Sequence, residues 1–236
     1  MKNLVKLLML MAGFVSIAYA SKVLFKQART YQYNLFVDAY FSESIHKAIE
    51  QHLSTVYQSI SIDAIGQHIK ELFACVRKVE VFGLPNAVAQ VSIMAHKPQY
   101  LVNGEDIVTH DGLLVSKDCF LTQVDSLYHL DITLTNKNQT SLSERCKHCV
   151  NCLTPQLLDD YRFVWEDDTH AWLYDKMQPN FALLFDAHTV PDVNTVYHCN
   201  TIKQELTERG VFERKSKKVW VADLRFTKQI IVFSRG

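Results

Sequence analysis

The apolar residues change their spacing near Pro98, and this change limits what the chain can fold into. Before it, two stretches carry apolar residues at helical intervals. In "SESIHKAIEQHLS", Ile45, Ile49 and Leu53 fall at i, i+4 and i+8; in "SIDAIGQHIKELFA", Ile65, Ile69, Leu72 and Phe73 form one stripe. Residues so spaced share one face of an α-helix. Around them, "YNLFVDAY" (33–40), Val79–Val81 and Val88–Ile93 read as strands, the last two joined by the turn signal "GLPN". The order strand, helix, helix, strand, strand predicts a small α+β unit over 33–98. Its core would take Ile45, Ile49, Ile65, Ile69, Leu72 and Phe73 from the helices, and Val79, Val81, Val91 and Ile93 from the strands.

After Pro98 the apolar period is two almost throughout. "QYLVNGEDIVTHDGLLVSKD", "LYHLDITLTN", "YRFVWEDDTHAWLYDK" and "NFALLFDA" alternate as strands do, punctuated by "NGED" and by Asp111-Gly112. One late helix, "VNTVYHCNTIKQELTERG", closes on Gly210. The chain then ends on "KVWVADLRFTKQIIVFSRG", which places Trp220, Ala222, Leu224 and Phe226 on one face. Asp223, Arg225 and Thr227 fall on the other, and the apolar face resumes at Ile230 and Val232. This reads as one terminal strand from Val219 to Phe233, bent or bulged near Thr227-Lys228, with Trp220, Leu224 and Ile230 towards the core. A last strand has no successor to pair with, so a sheet edge is expected, and something must cover or blunt it. The second domain is expected over 99–236 as a β-rich domain with one late helix.

The N-terminus is a targeting segment. Lys2 and Lys6 precede an apolar run from Leu7 to Ala20, and "AYA-S" fits a signal cleavage site. A span from Leu4 to Phe25 would instead make an anchor, with Lys6 and Lys22 reaching towards the head groups. Both readings carry the rest of the chain across a membrane.

Chemistry is sparse. The 25 Lys and Arg balance the 25 Asp and Glu and are scattered rather than striped, so no nucleic-acid footprint is present. No G-x-S-x-G, Walker loop, H-E-x-x-H or G-x-G-x-x-G occurs, which leaves an enzyme without a recognisable constellation. Asp159, Asp160, Glu166, Asp167 and Asp168 form an acidic group that flanks a strand and offers little support for calcium ligation. The sharpest local signal is "RCKHCVNC". Cys146, Cys149 and Cys152, with His148 between them, offer three thiolates, and Cys199 or His198 could complete a zinc set. In an exported chain the same cysteines suit disulfides, or no pairing at all. A secreted or periplasmic protein built around this segment, metal-binding or disulfide-stabilised, is the alternative to a scaffold.

Taken in order, these pieces resemble the FtsQ/DivIB family of bacterial cell division proteins. The segment "LFACVRKVEVFGLPNAVAQVSIMAHKPQYLV" supplies Leu72, Val76, Val79, Val81, Val91, Ile93 and Pro98 in the family's sequence of apolar steps. "HDGLLV" matches its D-G-apolar step, and "ADLRF" its closing aliphatic-Asp-apolar-Arg-aromatic strand. Residues 136–160 have no counterpart in the pattern. The resemblance implies a short cytoplasmic stub and membrane-spanning helix over 1–25, a POTRA domain (β-α-α-β-β) over 33–98, and a β domain ending in a partner-binding edge strand. It implies a single-pass protein of the bacterial inner membrane, at the division septum, with its bulk outside the cytoplasm. Its function would be that of a non-enzymatic divisome scaffold without a cofactor, linking early and late division proteins. The partners implied are small coiled-coil division proteins of the FtsB/DivIC and FtsL types. Phe226 occupies the position of the family's partner-contacting aromatic. The edge residues Val219, Val221, Asp223, Arg225, Lys228, Ile231 and Phe233 complete the expected contact set.

The family plan retains the N-terminal segment as an anchor. Mass spectrometry of the native protein is therefore expected to find an uncleaved N-terminus; a mature form beginning at Ser21 would overturn this.

Overall fold

A computed structural model describes residues 32–56, 62–84, 88–136, 139–211, 218–226 and 229–235. The expected membrane-spanning helix over 1–25 lies outside these residues, as do Thr227 and Lys228. Among the described residues no helix is long and apolar enough to cross a membrane. The chain is α+β and divides into two compact units. The first holds 32–39 and Glu43–Ala95, the second Tyr40–Ser42 and 96–235.

The first unit runs β1 (Gln32–Val37), α1 (Glu43–Val56), α2 (Ile62–Leu72), β2 (Val76–Leu84) and β3 (Val88–Ala95). This is the strand-helix-helix-strand-strand order expected. The sheet order is β1-β3-β2, with β1 parallel and β2 antiparallel to the central β3. A parallel pair cannot be joined by a tight turn, so the two helices and β2 fill the connection between β1 and β3. The helix stripes bury Ile49, Leu53, Ile65 and Ile69, and the sheet buries Ala89, Val91 and Ile93. Ile45, Phe73, Val79 and Val81 are half-buried. Leu72 departs from expectation and is 51% exposed. The helix stops there: Phe73 N–H bonds back to the Ile69 carbonyl and Val76 N–H to that of Phe73. The chain turns at once, and Cys75 and Val76 supply the buried contacts a further helical turn would have made. The strands β2 and β3 also extend closer to their turn than expected, pairing through Gly83–Ala89 and Leu84–Val88.

The second unit contains β4 (Pro98–Val102), β5 (Asp106–Thr109), β6 (Leu114–Ser116), β7 (His129–Ile132), β8 (Tyr161–Asp167), β9 (His170–Asp175), β10 (Phe181–Phe185), β11 (Val219–Asp223) and β12 (Ile231–Arg235). They form a sheet of order β12-β11-β10-β9-β8-β7-β4-β5-β6. Asn103 and Gly104, both at positive φ, turn β4 into β5 where the sequence reads "NGED".

Among the described residues three α-helices accompany the sheet rather than one: α3 (Glu144–Cys152), α4 (Pro155–Asp160) and α5 (Val193–Glu208). The first two occupy 136–160, and topology explains them. β7 and β8 are parallel neighbours, as are β10 and β11, and each such pair requires a crossover. Segment α3–α4 makes the first crossover and α5 the second. Ser143 caps α3, Thr154 caps α4 and Asp192 caps α5, each accepting a backbone N–H with its side-chain oxygen. Gly210, at φ 69°, closes α5 as expected.

All three helices pack on one face. Their buried Cys146, Cys149, Val150, Leu157, Leu158 and Cys199 join Leu130, Phe163, Leu173, Leu183 and Ala222 in one core cluster. The opposite face carries a smaller cluster of Trp172, Ala182, Leu184 and Val221. Ile69→Ala is expected to destabilise the first unit by about 2–5 kcal/mol, as truncations of buried aliphatics do. Equilibrium urea unfolding measures it; a loss below about 0.5 kcal/mol would mean that this helix face carries no packing.

Candidate docking edge

The C-terminal stretch is a hairpin, not one strand. β11 pairs in parallel with β10 on one side and antiparallel with β12 on the other, so it is interior. β12 is the terminal strand of the sheet, and its outer side pairs with no described strand. β11 ends at Asp223 and β12 begins at Ile231; the bend or bulge expected at Thr227-Lys228 lies outside the described residues.

The register assigns side chains to faces. Val221 lies opposite Phe233 and Asp223 opposite Ile231, whereas Ala222 lies opposite Val232. Directly opposed residues point the same way, so Phe233 and Ile231 share the face of Trp172 and Val221. Val232, Trp220 and Ile230 pack against the helix-covered core, and Leu224 is buried in it. Thus Trp220, Leu224 and Ile230 face the core as read from sequence.

The expected contact set divides accordingly. Val219, Val221 and Asp223 belong to the interior strand; Val221 is fully buried and Asp223 nearly so, and neither can meet an incoming strand. Lys228 lies outside the described residues. Phe226 (45%), Ile231 (39%) and Phe233 (39%) remain exposed. Arg235 at the strand's end places its guanidinium 5.8 Å from the Trp172 ring centre.

Arg225 is committed within the chain. Its Nη2 and Nε donate to the Asp223 carboxylate at 2.7 and 3.0 Å, and its backbone N–H to Asp223 Oδ1 at 3.1 Å. Burial alone would raise the Asp223 pKa, but the hydrogen bonds and charge of Arg225 outweigh it and hold the carboxyl below its ordinary value. The pair stiffens the exit from β11. Beyond it, a groove of about 840 Å³ opens between the hairpin and α5, lined by Phe226, Leu224, Ile230, Thr195, His198 and Ile202. That these α5 residues lie beside Phe226 was not legible in the sequence, because only the crossover brings them there.

The cysteines separate. Cys146, Cys149 and Cys199 are buried, and burial pushes the first thiol up to about 12 and the last to about 11, with Cys149 also raised. Cys152 is exposed, and neither it nor those three is in a disulfide. Among the described residues no three His, Cys, Asp or Glu donors converge on one position, and Cys146, Cys149, Cys152 and Cys199 are not brought together as a group of that kind. Three members of the acidic group have partners within the chain. Asp159 accepts the Tyr128 hydroxyl, Asp167 accepts from Thr169, and Asp168 pairs with Arg145.

No model of a known protein family matches the chain, and no curated protein gives a significant match.

Asp223→Asn is expected to cost about 2–3 kcal/mol at pH 7, less than a fully buried pair because Arg225 is 30% exposed. A depressed folded-state pKa stabilises fully above the unfolded value of about 3.9 and loses that contribution as pH falls through the folded value. Urea melts of both proteins between pH 7 and pH 2 should show a constant gap that closes only below about pH 4. A gap unchanged at the acid end would contradict the ion-pair account.

Proposed function

We propose that this chain is a non-enzymatic scaffold of bacterial cell division of the FtsQ/DivIB type, held in the inner membrane at the septum by its N-terminal segment. In this reading 33–98 is a POTRA domain, and the second unit docks a strand from a small coiled-coil division protein of the FtsB/DivIC type, itself accompanied by an FtsL-type protein. The observation that carries the reading is the edge strand β12, unpaired along its outer side among the described residues and flanked by exposed Phe226, Ile231 and Phe233. Supporting it are the β-α-α-β-β order of the first unit and the parallel β1–β3 pair with β2 outside.

The physics of docking is β-augmentation. Free N–H and C=O groups along β12 would pair with the incoming strand, and side chains alternating across the edge would set specificity. Phe233 and Ile231 would meet the partner on one face of the extended sheet. Phe226 would meet whatever precedes or follows the partner strand in the groove beside α5.

Phe226→Ala is expected to weaken binding of the partner by more than about 1 kcal/mol, as anchor truncations do. Backbone N–H groups alternate between β11 and the outer side, so one of Val232→Pro and Phe233→Pro removes an outward donor and should abolish binding. Titration calorimetry with the partner's exported domain measures both effects. Wild-type affinity in all three folded variants would remove β12 as the docking edge.

A further inference from the structure

The "RCKHCVNC" segment distributes its thiols unequally. Cys146 and Cys149 point into the core from α3, while Cys152, at the C-terminal end of that helix, is exposed. His148 lies one turn earlier, at i−4, so both side chains occupy the same face. Cys152 Sγ and His148 Nε2 are 4.0 Å apart. Together they line a pocket of about 420 Å³ at the helix-covered side of the sheet. Its walls include Leu157, Val190 and Val196 together with Asp160 and Asp192, and His188 borders it from the loop after β10.

We propose that Cys152 and His148 form a two-donor binding site for a soft monovalent metal ion, Cu(I), at the mouth of this pocket. Bonds from a first-row ion to a thiolate and an imidazole are about 2.3 and 2.0 Å, a combined reach of about 4.3 Å. A donor separation of 4.0 Å therefore admits an ion between them with a wide S–metal–N angle and no movement of the helix. That geometry decides the class of ion. Zinc asks for four ligands near tetrahedral angles, and no third His, Cys, Asp or Glu converges among the described residues. Cu(I) is satisfied by two donors at a wide angle, and a soft thiolate selects it over harder cations. On binding, the Cys152 thiol releases its proton to solvent, and thiolate, Cu(I) and neutral imidazole form an uncharged unit. The i, i+4 placement holds both donors on one rigid turn, so little side-chain freedom is lost on binding.

The site is independent of the docking edge, and its test uses no division protein. The purified chain is titrated anaerobically with Cu(I) against a chromophoric Cu(I) chelator. One equivalent should be retained by the wild type, and Cys152→Ser and His148→Ala should each lower the affinity at least about tenfold. Both side chains are exposed, so the variants should keep the wild-type thermal transition, which circular dichroism checks. X-ray absorption of the loaded protein should show one sulfur and one nitrogen neighbour. Unchanged affinity in the variants would overturn the site, as would coordination by sulfur alone, which would mean that Cys146 or Cys149 had left the core. Tighter binding of Zn(II) than of Cu(I) would overturn the choice of ion.

Discussion

The parallel pairing of β10 with β11 governs the second unit. Two parallel neighbours cannot be joined by a hairpin, so the chain must leave the sheet after Phe185 and return at Val219. Helix α5 makes that passage, and a partly buried ion pair between Lys203 and Asp175 ties it to the end of β9. The Tyr161 hydroxyl adds a hydrogen bond to Asn200 from β8, at 2.9 Å. Because α5 covers one face and β10 occupies one side of β11, only the other side of β11 is open. β12 folds back onto it and becomes the edge. The hairpin, its groove and its exposed aromatics all follow from that one pairing.

The hairpin is also where opposing demands meet. An open edge with large apolar side chains invites association, and natural sheets blunt such edges with charge and short length. Here β12 is five residues long and ends in Arg235, whose guanidinium lies over Trp172. At the other end, the Asp223–Arg225 pair fixes the chain where it leaves the sheet. Phe226 follows that pair directly and lines the groove beside α5.

The cysteines show how far local spacing carries. Two-residue intervals suggest a shared ligand when the segment is read as a loop. On a helix the same intervals turn the side chains in different directions, and α3 puts Cys146 and Cys149 against the core while Cys152 faces the pocket. Their reactivity separates with burial, since desolvation disfavours a thiolate. The His148–Cys152 spacing was visible in the sequence, but its meaning depended on the segment being helical. That in turn depended on β7 and β8 being parallel, which requires a crossover where the sequence pattern offered no assignment.

The sequence by itself determined the α+β class, the β-α-α-β-β order, the helical stripe around Ile49, Ile65 and Ile69, and the core side of Trp220, Leu224 and Ile230. These depend on side-chain direction, which repeats with the period of the local backbone and can be read within a few residues. Tertiary structure alone decided which strands are neighbours, that residues 136–160 and α5 are crossovers, and that β11 is interior while β12 is the edge. It also decided that Leu72 is exposed and that Val221 and Asp223 are buried. Backbone hydrogen bonds between strands look the same whichever residues make them. The choice of neighbour is therefore settled by how helices and strands distant in sequence fit together on the two faces of the sheet, information that no local period contains.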